Sequence, residues 1–460
     1  MTHPLGFSDG PVPTLTPPYR LTKGVAVMRQ SKFWFFLFLA CAHVQTAFGS
    51  ALETYVRRPD PHFNWKRTER KAIGSVTVTH LEMVSQHWRD QFWSHHLQVL
   101  RPNQIRHTDT ALLYVTGDGD GSRNLPALLP VAERIGAMVI VLTQVPNQPL
   151  YDGRKEDALI AYTFDNYLKD GDETWPLLFP MVKSAVRAMD AVQEFARKEF
   201  EQDLKHFVVT GASKRGWTTW LTGAVDPRVK AIAPMVIDML NMKRQLEWAE
   251  KMYGRQSEEI SDYTNLNLHQ RLDDPPMQKL RSWVDPYSYR ERYTLPKLIL
   301  IGTNDPYWVV DSLRHYWSDL PAPKLIFQTP NAGHDLGGGK EAFETLGAFF
   351  QFVAQNKPIP EMAWTIENSS NTATTLSATL NHEAKKARLW TAYSMDRDFR
   401  DDQWSSQELT VTSGSSRAEA KIETPQQGYR AFLIELELVA PDGRPFKLST
   451  EARVTPDGKR

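Results

Sequence analysis

The feature that most constrains the fold is an alternation of two hydrophobic periodicities over about 300 residues. Short apolar runs, typical of strands, are separated by longer segments in which apolar residues recur every three or four positions, as in helices. Repetition of strand, helix and strand predicts a parallel sheet covered on both faces. The predicted strands are 75–79, 96–100, 112–115, 138–142, 207–209, 229–237, 298–301 and 325–327, and the predicted helices include 125–135, 179–200 and 340–353.

One segment interrupts this alternation, at residues 241–293. It contains a predicted helix at 242–253, followed by a polar region around Asp273 and Asp274. An insertion at this point of an open α/β fold lies at the carboxyl edge of the sheet, where ligands bind. We therefore assign residues 50–358 to an α/β domain and interpret 241–293 as its cap.

The character of the chain changes again after residue 358. Short alternating runs rich in Thr and Ser, separated by Asn, Asp and Gly, are typical of antiparallel strands. They occur at 373–380, 388–392, 409–412 and 431–439. The sequence therefore predicts a C-terminal β-sandwich domain over residues 359–460.

The charge balance argues against binding to nucleic acid. The chain has 54 Lys and Arg residues against 54 Asp and Glu residues, whereas electrostatic capture of a polyanion requires a basic surplus. No run reaches the roughly 20 apolar residues of a membrane-spanning helix, so stable membrane insertion is not expected.

Residues 1–49 have the pattern of an extension followed by a signal peptide. A basic stretch starting at Met28 precedes about ten apolar residues, and small residues follow up to Gly49. We predict cleavage near Gly49 and a periplasmic or secreted protein. The alternatives are an uncleaved anchor and a lipidated N-terminus at Cys41, the only cysteine. Cleavage near Gly49 would leave no cysteine and hence no disulfide.

The first catalytic candidate is Ser213, in the sequence Gly211-Ala212-Ser213-Lys214-Arg215-Gly216. It follows a predicted strand and precedes a helical pattern, as a nucleophilic serine does in the Gly-x-Ser-x-Gly turn. Small neighbours let the hydroxyl stand clear of the turn. Here the second glycine comes one residue later than in the usual pattern.

Two further candidates follow the next strands along the chain. Asp305 comes just past the end of the strand at 298–301, and His334 lies in a Gly-rich loop after the strand at 325–327. The order Ser213, Asp305, His334 is that of an α/β-hydrolase triad, and each residue stands at the end of a strand. We predict an α/β-hydrolase fold with a cap insertion and a C-terminal β-sandwich domain. Asp238, at the end of the preceding strand, is the alternative acid.

Such a triad requires backbone donors for the oxyanion of the tetrahedral intermediate. The first predicted donor is the amide of Lys214, directly after the serine. The second is expected in the loop that contains Gly117 and Asp118, after the strand at 112–115. A calcium-binding Asp-Gly turn and a plain flexible turn are the alternative interpretations of this loop.

The sequence around these residues resembles the PhoPQ-activated pathogenicity-related proteins, exported α/β hydrolases of bacteria with relatives in amoebae. The resemblance extends over roughly residues 50–450. It rests on residues 209–220, 225–229, 233–238, 302–305 and 333–334. It implies the α/β-hydrolase fold, control by a bacterial sensor of low magnesium and cationic peptides, and a link to antimicrobial-peptide resistance.

The expected activity is that of a serine hydrolase acting on a peptide or an ester, without a cofactor or a metal. Trp217 and Trp220 follow the serine and either line a substrate pocket or belong to the core. Lys214 and Arg215 place positive charge beside it and suit a carboxylated substrate. An esterase for acidic saccharides of the glucuronoyl type is therefore an alternative function. A secreted binding protein without catalysis is a further alternative.

Overall fold

A computed structural model describes residues 50–370, 372–411 and 416–457. The predicted signal peptide, its cleavage site at Gly49 and Cys41 lie outside the described residues. None of the helices in the described residues combines the length and the hydropathy of a membrane span.

A nine-stranded sheet forms the centre of the fold, with the strand order β1-β2-β3-β5-β4-β6-β7-β8-β9. Strands β4 to β9 are parallel, whereas β1, β2 and β3 pair antiparallel. This is the sheet of an α/β hydrolase with one additional edge strand. The strands are β1 (Asn64–Ile73), β2 (Val76–Trp88), β3 (Gln91–Pro102), β4 (Thr110–Val115), β5 (Val139–Leu142), β6 (His206–Ala212), β7 (Val229–Met235), β8 (Lys297–Gly302) and β9 (Lys324–Thr329).

Helices cover both faces of this sheet, as the continuous apolar runs predict. In β4, Leu113 and Val115 belong to one apolar cluster, and Leu112 and Tyr114 belong to the other. Helices α1, α3, α4 and α5 bury side chains in the first cluster, and α2 and α9 in the second. The helices are α1 (Ala51–Arg57), α2 (Leu125–Ile135), α3 (Glu156–Asp170), α4 (Leu178–Phe200), α5 (Lys214–Val225), α6 (Met242–Tyr253), α7 (Ser261–Thr264), α8 (Pro275–Val284) and α9 (Lys340–Ala354).

The cap predicted at 241–293 lies between β7 and β8. It consists of α6, α7 and α8 together with short 3₁₀ turns, the last of which is Pro286–Arg292. The predicted cap insertion is confirmed.

Two antiparallel sheets follow α9 and form the C-terminal sandwich. The first has the order β10-β11-β14, and the second has the order β13-β12-β15-β16 with β17 beside β15. Leu376 of β11 and Ile434 of β15 belong to the same apolar cluster as α2 and α9. The strands are β10 (Met362–Ser370), β11 (Ala373–Leu380), β12 (Ala384–Ser394), β13 (Ser405–Leu409), β14 (Arg417–Glu423), β15 (Tyr429–Val439), β16 (Pro445–Ser449) and β17 (Arg453–Thr455).

The structure extends the sequence-based elements in several places. β2 and β3 have 13 and 12 residues, whereas the sequence predicted strands of five residues. The prediction was too short because polar and apolar residues alternate less regularly in the outer halves of these strands. β1 and α3 were not predicted. β1 exposes most of its side chains, and α3 combines a polar surface with a buried stripe that includes Leu159 and Ile160.

Candidate active site

Ser213 lies at a sharp turn between β6 and α5. It is the only residue between Ala212, the end of the strand, and Lys214, the start of the helix, and its backbone has φ 57° and ψ −124°. Positive φ is uncommon for a residue other than glycine, and such backbone strain concentrates at functional sites. A Cβ at Gly211 would lie 2.8 Å from the carbonyl oxygen of Val115, so the tight turn requires glycine there.

The three predicted triad residues come together at the carboxyl edge of the sheet. His334 Nε2 lies 2.9 Å from Ser213 Oγ, and His334 Nδ1 lies 2.8 Å from Asp305 Oδ2. The other oxygen of Asp305 accepts a hydrogen bond of 3.0 Å from the backbone N–H of Tyr307. The side chain of Asp305 is almost fully buried, and that of His334 is 26% exposed. This geometry connects the serine hydroxyl to a buried carboxylate through one imidazole.

Tyr307 is a site residue that the sequence analysis missed. Its ring stacks on the imidazole of His334, with centroids 4.3 Å apart and planes inclined by 29°. It also contributes to the wall of the cavity beside Ser213. The only signal in the sequence is an aromatic residue two positions after Asp305.

Asp238, the alternative acid, is not the residue beside His334. Its side chain is buried, and the carboxylate that lies 2.8 Å from His334 Nδ1 belongs to Asp305 instead. Burial raises the pKa of Asp238 to about 7. Because Asp305 occupies the position next to His334 Nδ1, the structure favours Asp305.

The positive charges beside Ser213 are already paired within the protein. Arg215 makes two hydrogen bonds of 2.7 Å to the carboxylate of Glu156, and Lys214 Nζ makes one of 2.8 Å to Asp157. Although burial opposes ionisation, the Arg215 guanidinium lowers the pKa of Glu156 to about 2. The prediction that Arg215 binds a carboxylated substrate is therefore not favoured, because its guanidinium is buried and already paired with the Glu156 carboxylate.

The loop after β4 is shaped around the same arginine. A Cβ at Gly117 would clash with the guanidinium of Arg215, so glycine leaves the space that this side chain occupies. Asp118 accepts hydrogen bonds from Gln148 and Lys155. Among the described residues, no group of three or more His, Cys, Asp and Glu side chains could hold a metal ion.

The predicted oxyanion donors belong to two different segments of the chain, the start of α5 and the loop after β4. Lys214 is the first residue of α5, where a backbone N–H has no partner within the helix. Gly117 and Asp118 lie in the loop after β4, and β4 pairs with β6 in the sheet. The role of these amides as donors stays a prediction.

An apolar cavity of about 110 Å³ adjoins Ser213 beneath the cap. Trp217 contributes to its wall, and the indole N–H of this residue donates to the carbonyl oxygen of Val284 in α8. Trp220 instead packs against Tyr293 and belongs to the core. Apolar side chains of the cap and of the main domain line most of the cavity, among them Phe164, Met242, Leu246, Met277 and Leu280.

The sheet order and the three side chains at its carboxyl edge define the class of protein as one with the α/β-hydrolase fold. The chain belongs to the PhoPQ-activated pathogenicity-related protein family, whose model matches residues 52–400. It is also 32% identical over 464 residues to autocrine proliferation repressor protein A of Dictyostelium discoideum, a match that covers 92% of this chain and 93% of that protein.

Solved structures of esterases and related hydrolases are similar to this chain at lower identity. Acetyl xylan esterase 1 from Thermoanaerobacterium is 15% identical with a TM-score of 0.46, and the match covers 66% of this chain and 92% of the esterase. S-formylglutathione hydrolase from Agrobacterium tumefaciens is 12% identical with a TM-score of 0.42, and the match covers 64% of this chain and all of that chain.

Proposed function

We propose that this protein is an exported serine hydrolase that cleaves an ester or an amide bond with Ser213, His334 and Asp305. The observation that carries the proposal is the unbroken hydrogen-bonded chain from Ser213 Oγ through His334 to Asp305, at the edge of an apolar cavity. A merely structural serine does not need a strained backbone at the end of a central strand.

In the proposed reaction, Ser213 Oγ attacks the carbonyl carbon while His334 Nε2 takes the hydroxyl proton. The amide of Lys214 stabilises the oxyanion, and His334 then gives its proton to the leaving alcohol or amine. Water, activated by the same imidazole, releases the acyl group from Ser213. Asp305 holds the Nδ1–H tautomer and stabilises the imidazolium.

The lining of the cavity favours a substrate with an apolar group. Burial of hydrocarbon contributes roughly 0.8 kcal/mol for each CH₂ group, so a longer acyl chain or an apolar side chain gains affinity in such a cavity. The paired charges of Lys214 and Arg215 leave little attraction for a free carboxylate. An esterase for acidic saccharides is therefore less well supported than an esterase or peptidase for apolar groups.

A fluorophosphonate probe, followed by mass spectrometry of the labelled peptide, tests the proposed function. We expect one covalent adduct, on Ser213. Intact, folded protein that does not react with the probe and hydrolyses neither activated esters nor apolar peptide anilides would favour the non-catalytic binding protein. Comparison of an ester with the matching anilide separates an esterase from a peptidase, and a peptidase would fit the link to antimicrobial-peptide resistance.

Leu246→Trp should alter the preference for acyl chain length. Leu246 is a half-buried residue of α6 that lines the cavity, so a larger ring fills space that a long acyl chain would use. The expected result is a loss of about tenfold or more in kcat/KM for the octanoyl p-nitrophenyl ester relative to the acetyl ester. Leu266→Trp is the matched control, because Leu266 is an exposed cap residue outside the cavity lining. Equal chain-length profiles for all three proteins would contradict the assignment of the cavity.

We also propose that the chain is exported and that its mature form begins near Ser50. Ser50 supports this proposal, because it caps α1 and exchanges hydrogen bonds with Glu53, so a capped helix starts directly after the predicted cleavage site. Intact-mass measurement of protein recovered from the periplasm or the medium should give a chain that starts near Ser50. A mass that retains Met28, or that starts at Cys41 with added acyl groups, would contradict this prediction.

A further inference from the structure

One segment of the C-terminal sandwich contacts the two loops that carry Asp305 and His334. It is Phe399–Trp404, which lies between β12 and β13. Asn304, the residue directly before Asp305, donates side-chain hydrogen bonds of 3.0 Å to the carbonyl of Phe399 and 2.7 Å to that of Asp402.

The loop that carries His334 is hydrogen-bonded to the same Phe399–Trp404 segment. The side-chain amide of Asn331, three residues before His334, donates a bond of 2.9 Å to the carbonyl of Trp404. Its oxygen accepts a bond of 2.7 Å from the backbone N–H of Trp404. This pair of bonds fixes both the position and the orientation of the loop backbone relative to the sandwich.

The two loops are also bonded to each other. The backbone N–H of Asn331 donates to Thr303 Oγ1 at 3.0 Å, and that of Asn304 donates to the carbonyl of Ala332 at 2.9 Å. The loop that carries Asp305 and the loop that carries His334 therefore form one hydrogen-bonded unit.

The Phe399–Trp404 segment is itself firmly anchored. Phe399 and Trp404 are buried in a small apolar cluster of the sandwich. Just before the segment, Arg397 forms an ion pair of 2.8 Å with Asp311, and both of these side chains are completely buried. Such a segment can serve as a fixed support, since breaking a buried ion pair leaves an uncompensated charge and is costly.

We propose that the Phe399–Trp404 segment sets the geometry of the triad and that Asn304 and Asn331 are positioning residues for Asp305 and His334. The inference rests on the proposed function, because it assumes that these side chains act in catalysis. A displacement of reacting groups by about 1 Å can cost on the order of 100-fold in rate, so supports of this kind affect turnover more than affinity. The sandwich then contributes to catalysis without touching the substrate.

Asn331→Gly tests this inference. Asn331 has φ 57°, which glycine adopts without strain, so the variant removes the amide and adds no steric conflict. We expect kcat to fall by about 10- to 100-fold with KM changed less than about threefold. Asn304→Ala should show the same division between kcat and KM, and it keeps the test valid if Asn331→Gly folds poorly.

A double variant separates positioning from general destabilisation. In a His334→Ala background, Asn331→Gly should cost less than about threefold further, because the imidazole that Asn331 positions is absent. A full additional loss in that background would overturn the inference, as would single variants with wild-type kcat.

Asp442→Asn is the matched control for loss of contact between the sandwich and the main domain. Asp442 forms an ion pair with Arg134 of α2. Loss of this ion pair should lower the melting temperature and leave kcat unchanged. If Asp442→Asn lowers kcat as much as Asn331→Gly does, the effect is not specific to the triad loops and the inference is wrong. A wild-type protein without labelling or hydrolysis would instead refute the proposed function itself.

Discussion

Ser213→Ala is expected to lower kcat/KM for short activated esters by about 10⁴-fold or more, and to abolish labelling by a fluorophosphonate. The reason is that the variant removes the only atom in the triad that forms a bond to the substrate in the proposed mechanism. Initial rates with p-nitrophenyl esters and gel-based detection of the probe measure both effects.

The fold should tolerate this change. Alanine carries the same Cβ as serine, so the positive φ at this position costs about the same in both proteins. The melting temperature should therefore stay close to that of the wild type. Ser318→Ala, at an exposed position, is the matched control and should keep full activity. Unchanged hydrolysis by Ser213→Ala would place the nucleophile elsewhere.

Asp305→Asn is expected to lower kcat by about 10⁴-fold. An amide at this position can donate to His334 Nδ1, which favours the imidazole tautomer that cannot accept the proton of Ser213. It also removes the negative charge that stabilises the imidazolium. Steady-state kinetics with the same esters measure the loss, and probe labelling should slow in parallel.

Asp238→Asn provides the comparison for this variant. Asp238 is also a buried carboxyl group in the segment after a parallel strand, but the hydrogen bond to His334 Nδ1 is made by Asp305. Its replacement should change kcat only a few-fold. If Asp238→Asn proves to be the more damaging of the two substitutions, Asp238 is the functional acid.

The parts of the fold that the sequence predicts are those with the simplest hydrophobic patterns. The central strands are buried on both faces, so continuous runs such as residues 112–115 identify them directly. α2 and α6 have the predicted bounds, because a Gly follows each of them at the C-terminus. β1 escaped prediction because an exposed edge strand lacks an apolar pattern.

In the candidate site, too, some features could be predicted from the sequence and others could not. The proximity of Ser213, Asp305 and His334 could be predicted because each stands in the turn or loop that follows a strand, and parallel strands bring their carboxyl ends together. The partner of Arg215 could not be predicted, since Glu156 is 59 residues away in the sequence and charge pairing has no periodic pattern. The sandwich contacts of Asn304 and Asn331 are equally long-range, at 98 and 73 residues.

The packing of Gly117 against Arg215 has an evolutionary consequence. The position two residues after the serine is a glycine in the usual turn, and here it carries a long cation whose space is available only because residue 117 lacks a side chain. A mutation that enlarges residue 117 would displace the guanidinium from Glu156 and leave a buried charge without its partner. Residues 117, 156 and 215 are thus expected to be replaced together among descendants of this protein. A glycine at position 215 would remove the guanidinium and would leave residues 117 and 156 free to vary independently.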